Sequence, residues 1–163
     1  MLLIPSDGEL VFHGFIAGIP APKGSKKHVG GGRMVEVSPR LPAWDKALDE
    51  ALAAHPRDGE AADGPLRADY LFVMPHNKGH LKASGELKDT APYWHTTTPD
   101  KDKLERAVGD ALTRNGVIKD DARIADSGTI RKIYGRDTGV HIWIWRLPDG
   151  EPTAGERALR AAG

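Results

Sequence analysis

Three charged residues share one face of a predicted helix. The spacing of apolar residues predicts this helix over 101–114, with a stripe at i, i+3, i+4, i+7 and i+8 formed by Leu104, Ala107, Val108, Ala111 and Leu112. At about 100° per residue, Asp102, Arg106 and Asp110 lie opposite that stripe. Asp100 immediately precedes the helix, so an Asp-x-Asp pair stands at its entrance. Two carboxylates at this spacing can approach one hard cation, which takes oxygen ligands.

A second acidic pair follows the helix. Asp120 and Asp121 come directly after a short predicted strand at 117–118. A helix of this length followed by a return strand can bring Asp121 back beside Asp100 and Asp102. Three converging carboxylates repel one another in a partly dry cleft unless a divalent cation lies between them. Mg²⁺, which prefers oxygen ligands and retains water, is the natural candidate.

The same acids also have a purely structural interpretation. Asp at a helix N-cap, and acids in the first turn, stabilise any helix against its own dipole. On this interpretation Asp100 is a cap and Asp102 compensates the dipole. Asp120 and Asp121 are then solvated turn residues. The spacing alone leaves both interpretations open.

The elements that must position these acids follow from hydrophobic periodicity. A first helix is predicted from about Pro42 to about His55, and 75–99 is a long irregular segment. Strands are predicted at 9–18, 34–37, 66–74, 117–118, 124–134 and 140–146. The pattern predicts an α+β fold, a mixed sheet with two main helices in a single domain over 1–148. A polar C-terminal tail, 149–163, follows, with a frayed helix from about 155.

Composition narrows the class of protein. The chain has 163 residues, 28% charged and 39% hydrophobic, and no cysteine, which excludes disulfides and thiolate zinc sites. No apolar run reaches the roughly 18–20 residues of a membrane span, so no membrane partner is expected. The first residues do not form a signal peptide, and a cytoplasmic location is the expectation.

Charge is balanced overall and uneven locally. Lys+Arg and Asp+Glu each number 23, so the global field neither attracts nor repels nucleic acid. The segment 20–40 nevertheless carries one acid against five cations: Lys23, Lys26, Lys27, Arg33 and Arg40. The glycines at 30–32 lack the Gly-Lys-Ser/Thr of a phosphate loop, so no nucleotide cofactor is expected. His95, beside Trp94 in the long segment, suits either stacking on a base or simple packing.

Two stretches carry a resemblance to a known family. Residues 98–112 read Thr-Pro-Asp-Lys-Asp-Lys-Leu-Glu-Arg-Ala-Val-Gly-Asp-Ala-Leu, and 116–121 read Gly-Val-Ile-Lys-Asp-Asp. This resembles the RusA family of Holliday junction resolvases, whose signature is Pro-Asp-x-Asp-Asn, a basic residue three places on, Asp-Ala-Leu and a paired Asp. The Pro-Ala-Pro-Lys-Gly at 20–24 and the Lys-Ile-Tyr at 132–134 are similar to two further family segments.

The resemblance implies a RusA-like fold, a two-fold homodimer, and an enzyme of DNA recombination and repair. Such an enzyme binds four-way junction DNA and nicks two opposing strands using Mg²⁺. Asp100, Asp102 and Asp121 match the family's essential acids. Asp120 matches the first of its paired acids, so all four are the implied metal ligands. Arg106 stands where the family typically has a catalytic lysine.

Two positions depart from the family signature. Lys103 replaces its asparagine, and Arg106 replaces its lysine. Arginine keeps the charge but does not give up a proton near neutral pH, so Arg106 is expected to clamp phosphate. The residues expected to contact DNA are all basic: Lys23, Lys26, Lys27, Arg33, Lys103 and Lys132.

Three other functions stay open at this stage. The first is a related metal-dependent nuclease acting on flaps or forks. The second is a non-catalytic module that binds branched DNA, with the changes at Lys103 and Arg106 marking lost activity. The third is a structural domain in which Asp100 only caps a helix.

Overall fold

Alternating and helical apolar patterns produce the regular elements of the chain. The computed structural model describes residues 8–24, 26–36, 38–150, 159, 161 and 162. Two one-turn 3-10 helices, Lys78–His80 and Asp121–Arg123, lie between longer elements. In chain order the longer elements are β1 (Glu9–Ala17), β2 (Lys26–His28), β3 (Met34–Glu36), α1 (Leu41–Ala54), β4 (Leu66–Met74), α2 (Lys101–Arg114), β5 (Ile124–Tyr134) and β6 (Gly139–Arg146).

The four long strands form one mixed sheet in the order β1-β6-β4-β5. Strand β6 runs antiparallel to both β1 and β4, whereas β4 and β5 are parallel. A parallel pair needs a crossover connection, and here the crossover contains α2. The α+β prediction with a mixed sheet and two helices is confirmed.

Both helices cover the same face of the sheet. Their apolar stripes meet the inward side chains of the central strands in one core. The largest fully buried side chains of the described residues come mainly from the helices and the central strands: Trp44, Leu48, Leu52, Leu66, Tyr70, Phe72, Leu104, Val108, Leu112, Ile118, Ile142 and Ile144. Within the described part of the chain, no helix is long and apolar enough to cross a bilayer.

The predicted boundaries hold closely for the long elements and fail for the short ones. Helix α2 matches the predicted 101–114, and β1 ends one residue before the predicted end. The strand predicted at 117–118 is only an isolated bridge between Ala62 and Ile118. Strand β2 was not predicted, because Lys-Lys-His has no apolar alternation. Most of the predicted tail helix, and position 37, lie outside the described residues.

The long segment at 75–99 is irregular, as predicted, but it is tied to the sheet. Trp94 forms an isolated bridge with Ile133 on β5. The amide of His95 donates to the carbonyl of Lys132 at 3.1 Å, and the amide of Tyr134 donates to the carbonyl of Tyr93 at 2.9 Å. Residues 93–95 therefore extend the sheet beyond β5, immediately before the entrance to α2.

Candidate active site

Helix α2 and the 3-10 helix after it bring two of the predicted acids together. Asp102 lies in the first turn of α2, and Asp121 begins the 3-10 helix. Both face a cavity of about 300 Å³, here named the acidic cavity. It is lined by Tyr70, Asp102, Glu105, Arg106, Gly109, Asp121, Ile124 and Ser127.

The local sequence explains this approach. Gly116 adopts a φ of +67°, which favours glycine, and it reverses the chain at the end of α2. The amide of Val117 then donates to the carbonyl of Leu112 at 2.9 Å. A Cβ on Gly109 would lie only 3.9 Å from the Cβ of Asp121. This is an ordinary van der Waals distance, so Asp121 lies against the surface of α2 at Gly109.

The carboxylates of the acidic cavity lack basic partners. Neither Asp102 nor Asp121 has a side-chain hydrogen bond or salt bridge to any described residue. Glu105 accepts a hydrogen bond from Ser127 Oγ at 3.0 Å. Unpaired carboxylates around one concavity produce a local negative field that a cation would neutralise.

Tyr70 lines the acidic cavity, and the negative field of the nearby carboxylates affects its pKa. Its hydroxyl is buried and has no hydrogen-bond partner among the described residues. Burial raises the pKa of Tyr70 far above its usual value, and the carboxylates of Glu105, Asp69 and Asp121 raise it further. The hydroxyl therefore stays protonated and is available as a donor. Sequence reasoning missed both Tyr70 and Glu105, although Glu105 follows Asp102 at the i+3 spacing of one helix face.

Arg106 forms the basic side of the acidic cavity. A Cβ on Gly24 would collide with Nη1 of Arg106, and Gly24 has a φ of +97°. The amide of Lys23 donates to the carbonyl of Lys103 at 3.0 Å, and the Lys23 ammonium pairs with Asp110. The segment at 20–24 therefore lies along α2, with Gly24 beside the guanidinium of Arg106, while the Arg106 side chain stays exposed.

Asp100 faces a different and larger cavity. This second cavity, of about 910 Å³, is here named the loop cavity. It is lined by Trp94, His95, Thr96, Thr97, Thr98, Asp100, Lys101, Asp102, Ile130, Arg131 and Lys132. Asp102 lines both cavities and so connects them. The side chain of Asp100 makes no capping hydrogen bond to α2, and it lies 3.8 Å from Lys103 Nζ. The capping interpretation of this carboxylate therefore finds no support.

The three predicted carboxylates do not form one preassembled cluster. In the described part of the chain, no three His, Asp or Glu side chains are grouped closely enough to hold a metal ion. Asp102 and Asp121 share a cavity, whereas Asp100 lies beyond Asp102. Asp120 accepts the amide hydrogen of Ala122 at 2.8 Å and so caps the 3-10 helix. Metal roles for Asp100 and Asp120 stay predictions.

Some of the basic residues predicted to contact DNA are exposed, whereas Lys132 is held by hydrogen bonds within the protein. Lys26, Lys27 and Arg33 are exposed on the hairpin formed by β2 and β3. Lys132 Nζ instead donates to the carbonyls of Thr97 at 2.7 Å and Pro99 at 2.6 Å. Burial lowers the pKa of Lys132, which nearby Asp100 opposes. Lys132 therefore holds the chain that enters α2.

The fold and the acidic cavity together define a class of protein. Carboxylates and an arginine facing one cavity are suited to a divalent cation and a phosphodiester. Residues 17–145 match the family described as Endodeoxyribonuclease RusA. This match covers most of the chain, and the chain belongs to the RusA endodeoxyribonuclease family. No curated protein matches it.

Proposed function

We propose that this protein is a Mg²⁺-dependent endonuclease that resolves four-way Holliday junctions by paired symmetric nicks. The observation that carries the proposal is the acidic cavity. There Asp102 and Asp121, which pair with no basic side chain among the described residues, share the cavity with Arg106 in a chain of the RusA family.

The donor set of the acidic cavity fits a hard cation. Asp102 and Asp121 offer carboxylate oxygens, and Glu105 adds a third acid on the same cavity wall. Mg²⁺ is usually bound by one or two carboxylates together with several waters, so a preassembled cage is not required. Asp102 and Asp121 would hold the ion, with Asp100 and Asp120 as further predicted ligands. When bound, Mg²⁺ supplies Lewis acidity and a water of lowered pKa.

The chain's own side chains have separate tasks. Arg106 binds the phosphate and stabilises its developing negative charge, since a guanidinium stays charged near neutral pH. Ser127 fixes the orientation of Glu105 by its hydrogen bond. Tyr70, kept protonated by its raised pKa, offers a hydrogen-bond donor at the floor of the cavity.

Exposed cations extend the proposed DNA contact beyond the cavity. Lys26, Lys27 and Arg33 are free to approach phosphates from the hairpin, and Lys103 lies beside Asp100. Lys23 contributes by exchanging its partner Asp110 for a phosphate. Each neutralised phosphate releases counterions, so binding should weaken as salt rises. Lys132 contributes indirectly, by holding the carbonyls before Asp100.

Symmetry supports a homodimer as the active form. A four-way junction has approximate two-fold symmetry, and a two-fold dimer presents one site to each of two strands. We place this activity in the cytoplasm, in recombination and repair. Sedimentation at assay concentrations should give twice the 17.6 kDa chain mass.

The decisive experiment compares DNA structures. A synthetic four-way junction, labelled on each strand in turn, is incubated with native protein and Mg²⁺ or EDTA, beside linear, flapped and forked duplexes. The proposal predicts paired nicks in opposing strands of the junction that require Mg²⁺. Preferred cleavage of flaps or forks would instead identify a related nuclease. Junction binding without nicks would identify a non-catalytic module.

A further inference from the structure

Two large aromatic side chains are exposed beside the predicted acids. Tyr93 and Trp94 expose 58% and 51% of their surface. Their rings meet edge to face, with centroids 5.0 Å apart and planes at 80°. Aromatic side chains gain most of their stabilising energy by burial, so a neighbouring exposed pair indicates a binding surface.

The backbone beneath this pair is firmly held. The bridge between Trp94 and Ile133 is flanked by the hydrogen bonds of Tyr93 and His95 to β5. His95, the next residue, is only 9% exposed, and its ring lies 4.7 Å from that of Tyr134. The indole is therefore presented to solvent from an ordered edge of the sheet. Such preorganisation lowers the entropy lost when a ligand binds.

Trp94 shares the loop cavity with the acids. Asp100 and Asp102 line one part of that cavity, and Trp94 lines another. Its volume of about 910 Å³ lies within the range of sites that take a small organic group. The Arg131 guanidinium lies 6.0 Å from the centroid of the Trp94 ring, and Lys101 adds a second cation. One concavity thus combines a π-face, cations and the carboxylates at the entrance to α2.

We propose that Trp94, with Tyr93 and Arg131, forms a subsite that stacks one unpaired nucleobase next to the phosphodiester to be cut. This inference rests on the proposed nuclease function and identifies the part of the substrate that the loop cavity receives. A base offers a flat face for the indole, and its phosphate offers a charge for Arg131. The positive charges of Arg131 and Lys101 favour a nucleotide, which carries a phosphate, over an apolar peptide or another uncharged ligand.

Trp94 can stack only on a base that has left the duplex stack, because neighbouring bases in a duplex cover both of its faces. Such a base is also unpaired. Taking a base out of a continuous duplex requires unstacking energy, which is smallest where pairing is already disrupted. The crossover of a four-way junction is such a place. The subsite would therefore couple cleavage to branched DNA, through base stacking instead of hydrogen bonds to base edges.

The test places 2-aminopurine, a fluorescent base, at successive positions around the cleaved bond of a four-way junction. Native protein is expected to change the fluorescence at one position only, in Ca²⁺ buffer so that cleavage does not interfere. Trp94→Ala should abolish that change and weaken junction binding about tenfold, within the range of loss of one stacked base. Trp94→Phe, which keeps a π-face, should retain both within about threefold.

Leu10→Ala is the matched control, because Leu10 is exposed on β1 at the opposite edge of the sheet. Circular dichroism melts are needed to check that every variant folds. If native protein cuts junctions but Trp94→Ala behaves like Leu10→Ala, the base subsite is wrong and the nuclease function stands. If native protein neither binds nor cuts junctions, both proposals are wrong.

Discussion

Asp69 and the Asp102–Asp121 pair show two opposite uses of the same residue type. Asp69 is 1% exposed, and both oxygens of its carboxylate accept hydrogen bonds. It accepts two hydrogen bonds from Arg67 at 3.1 Å, one from the Thr129 amide at 2.6 Å and one from Trp145 Nε1 at 2.9 Å. Asp102 and Asp121 face a cavity and have no such partners in the described structure.

The difference separates stability from function. A buried charge is tolerated only when it is paired and hydrogen-bonded, and Asp69 meets both conditions. A Cβ on Gly128 would collide with Asp69 and Arg67, so even the neighbouring strand leaves room for this network. Asp102 and Asp121 of the acidic cavity make no such bonds to the described residues. Their free oxygens are available to a cation and a substrate.

The largest expected effect comes from Asp121→Asn. We expect junction nicking to fall by about 10³-fold or more, because the charge of the proposed metal ligand is lost from the acidic cavity. Thermal stability should hold or rise, since no partner is left unpaired and local repulsion falls. Nicking rates and melting curves provide the two readouts.

Asp120→Asn, measured in parallel, separates the metal role predicted for Asp120 from its role as a cap. An asparagine Oδ1 can still accept the Ala122 amide hydrogen, so the 3-10 helix keeps its cap. A nicking loss equal to that of Asp121→Asn would show that both acids bind metal. Unchanged nicking would instead leave Asp120 only its role as the cap of the 3-10 helix.

Asp69→Ala should give the complementary result. We expect a loss of about 3–5 kcal/mol in the free energy of unfolding, because Arg67 is left as a partly buried charge without its main partner. Urea denaturation measures this loss. Asp89→Ala, at an exposed position, should change stability little. A folded, equally stable Asp69→Ala variant would contradict the structural role of this network.

Arg106 is the basic side chain of the acidic cavity, and its charge can be tested separately from the acids. We expect Arg106→Gln to reduce nicking by roughly 10- to 100-fold through weaker transition-state stabilisation. Arg106→Lys should retain more activity, because it preserves the charge at this position. Single-turnover rates on the junction distinguish the two variants. Equal activity of Arg106→Gln and native protein would exclude a phosphate-binding role.

The smallest expected effect is the pH dependence of stability that comes from the buried imidazole of His95. Burial, followed by the Lys132 charge, lowers the pKa of His95 from 6.5, and its Nδ1 has no described partner. The unfolded chain therefore binds more protons, so stability should fall as pH drops below about 6.5. A difference of one bound proton between the folded and unfolded states changes the free energy of unfolding by at most about 1.4 kcal/mol per pH unit.

His95→Asn should flatten this pH dependence in part. His76 and His141 also have lowered pKa values through burial, so some slope should remain. Urea titrations at pH 7.5 and 5.5 measure the difference. An unchanged slope in the variant would show that His95 does not contribute to it.

Local patterns predicted the elements that position the acids. The apolar stripe of α2 fixed its limits, and Asn-Gly marked its end, because both signals lie within a few neighbouring residues. The strands at 66–74 and 124–134 were visible for the same reason. Hydrophobic alternation identifies a strand but not the strand that it pairs with, so the parallel pairing of β4 with β5 was not predictable.

The site could be predicted only in part. Asp102 and Asp121 were recognisable from motif and spacing, and the structure brings them together. Tyr70 was not, because its unpaired hydroxyl reaches the cavity from a strand distant in sequence. Lys132 was predicted to contact DNA, yet its hydrogen bonds to Thr97 and Pro99 depend on how residues before α2 fold back on β5.

The most direct test of the central claim is a single cleavage experiment on a four-way junction. Each strand is labelled in turn, and native protein and Asp102→Asn are compared in Mg²⁺ and in EDTA. Asp102 is the residue that both cavities share, so its carboxylate should be indispensable. We expect paired nicks for native protein in Mg²⁺, and none in EDTA or with the variant. Full nicking by a folded Asp102→Asn protein would contradict it.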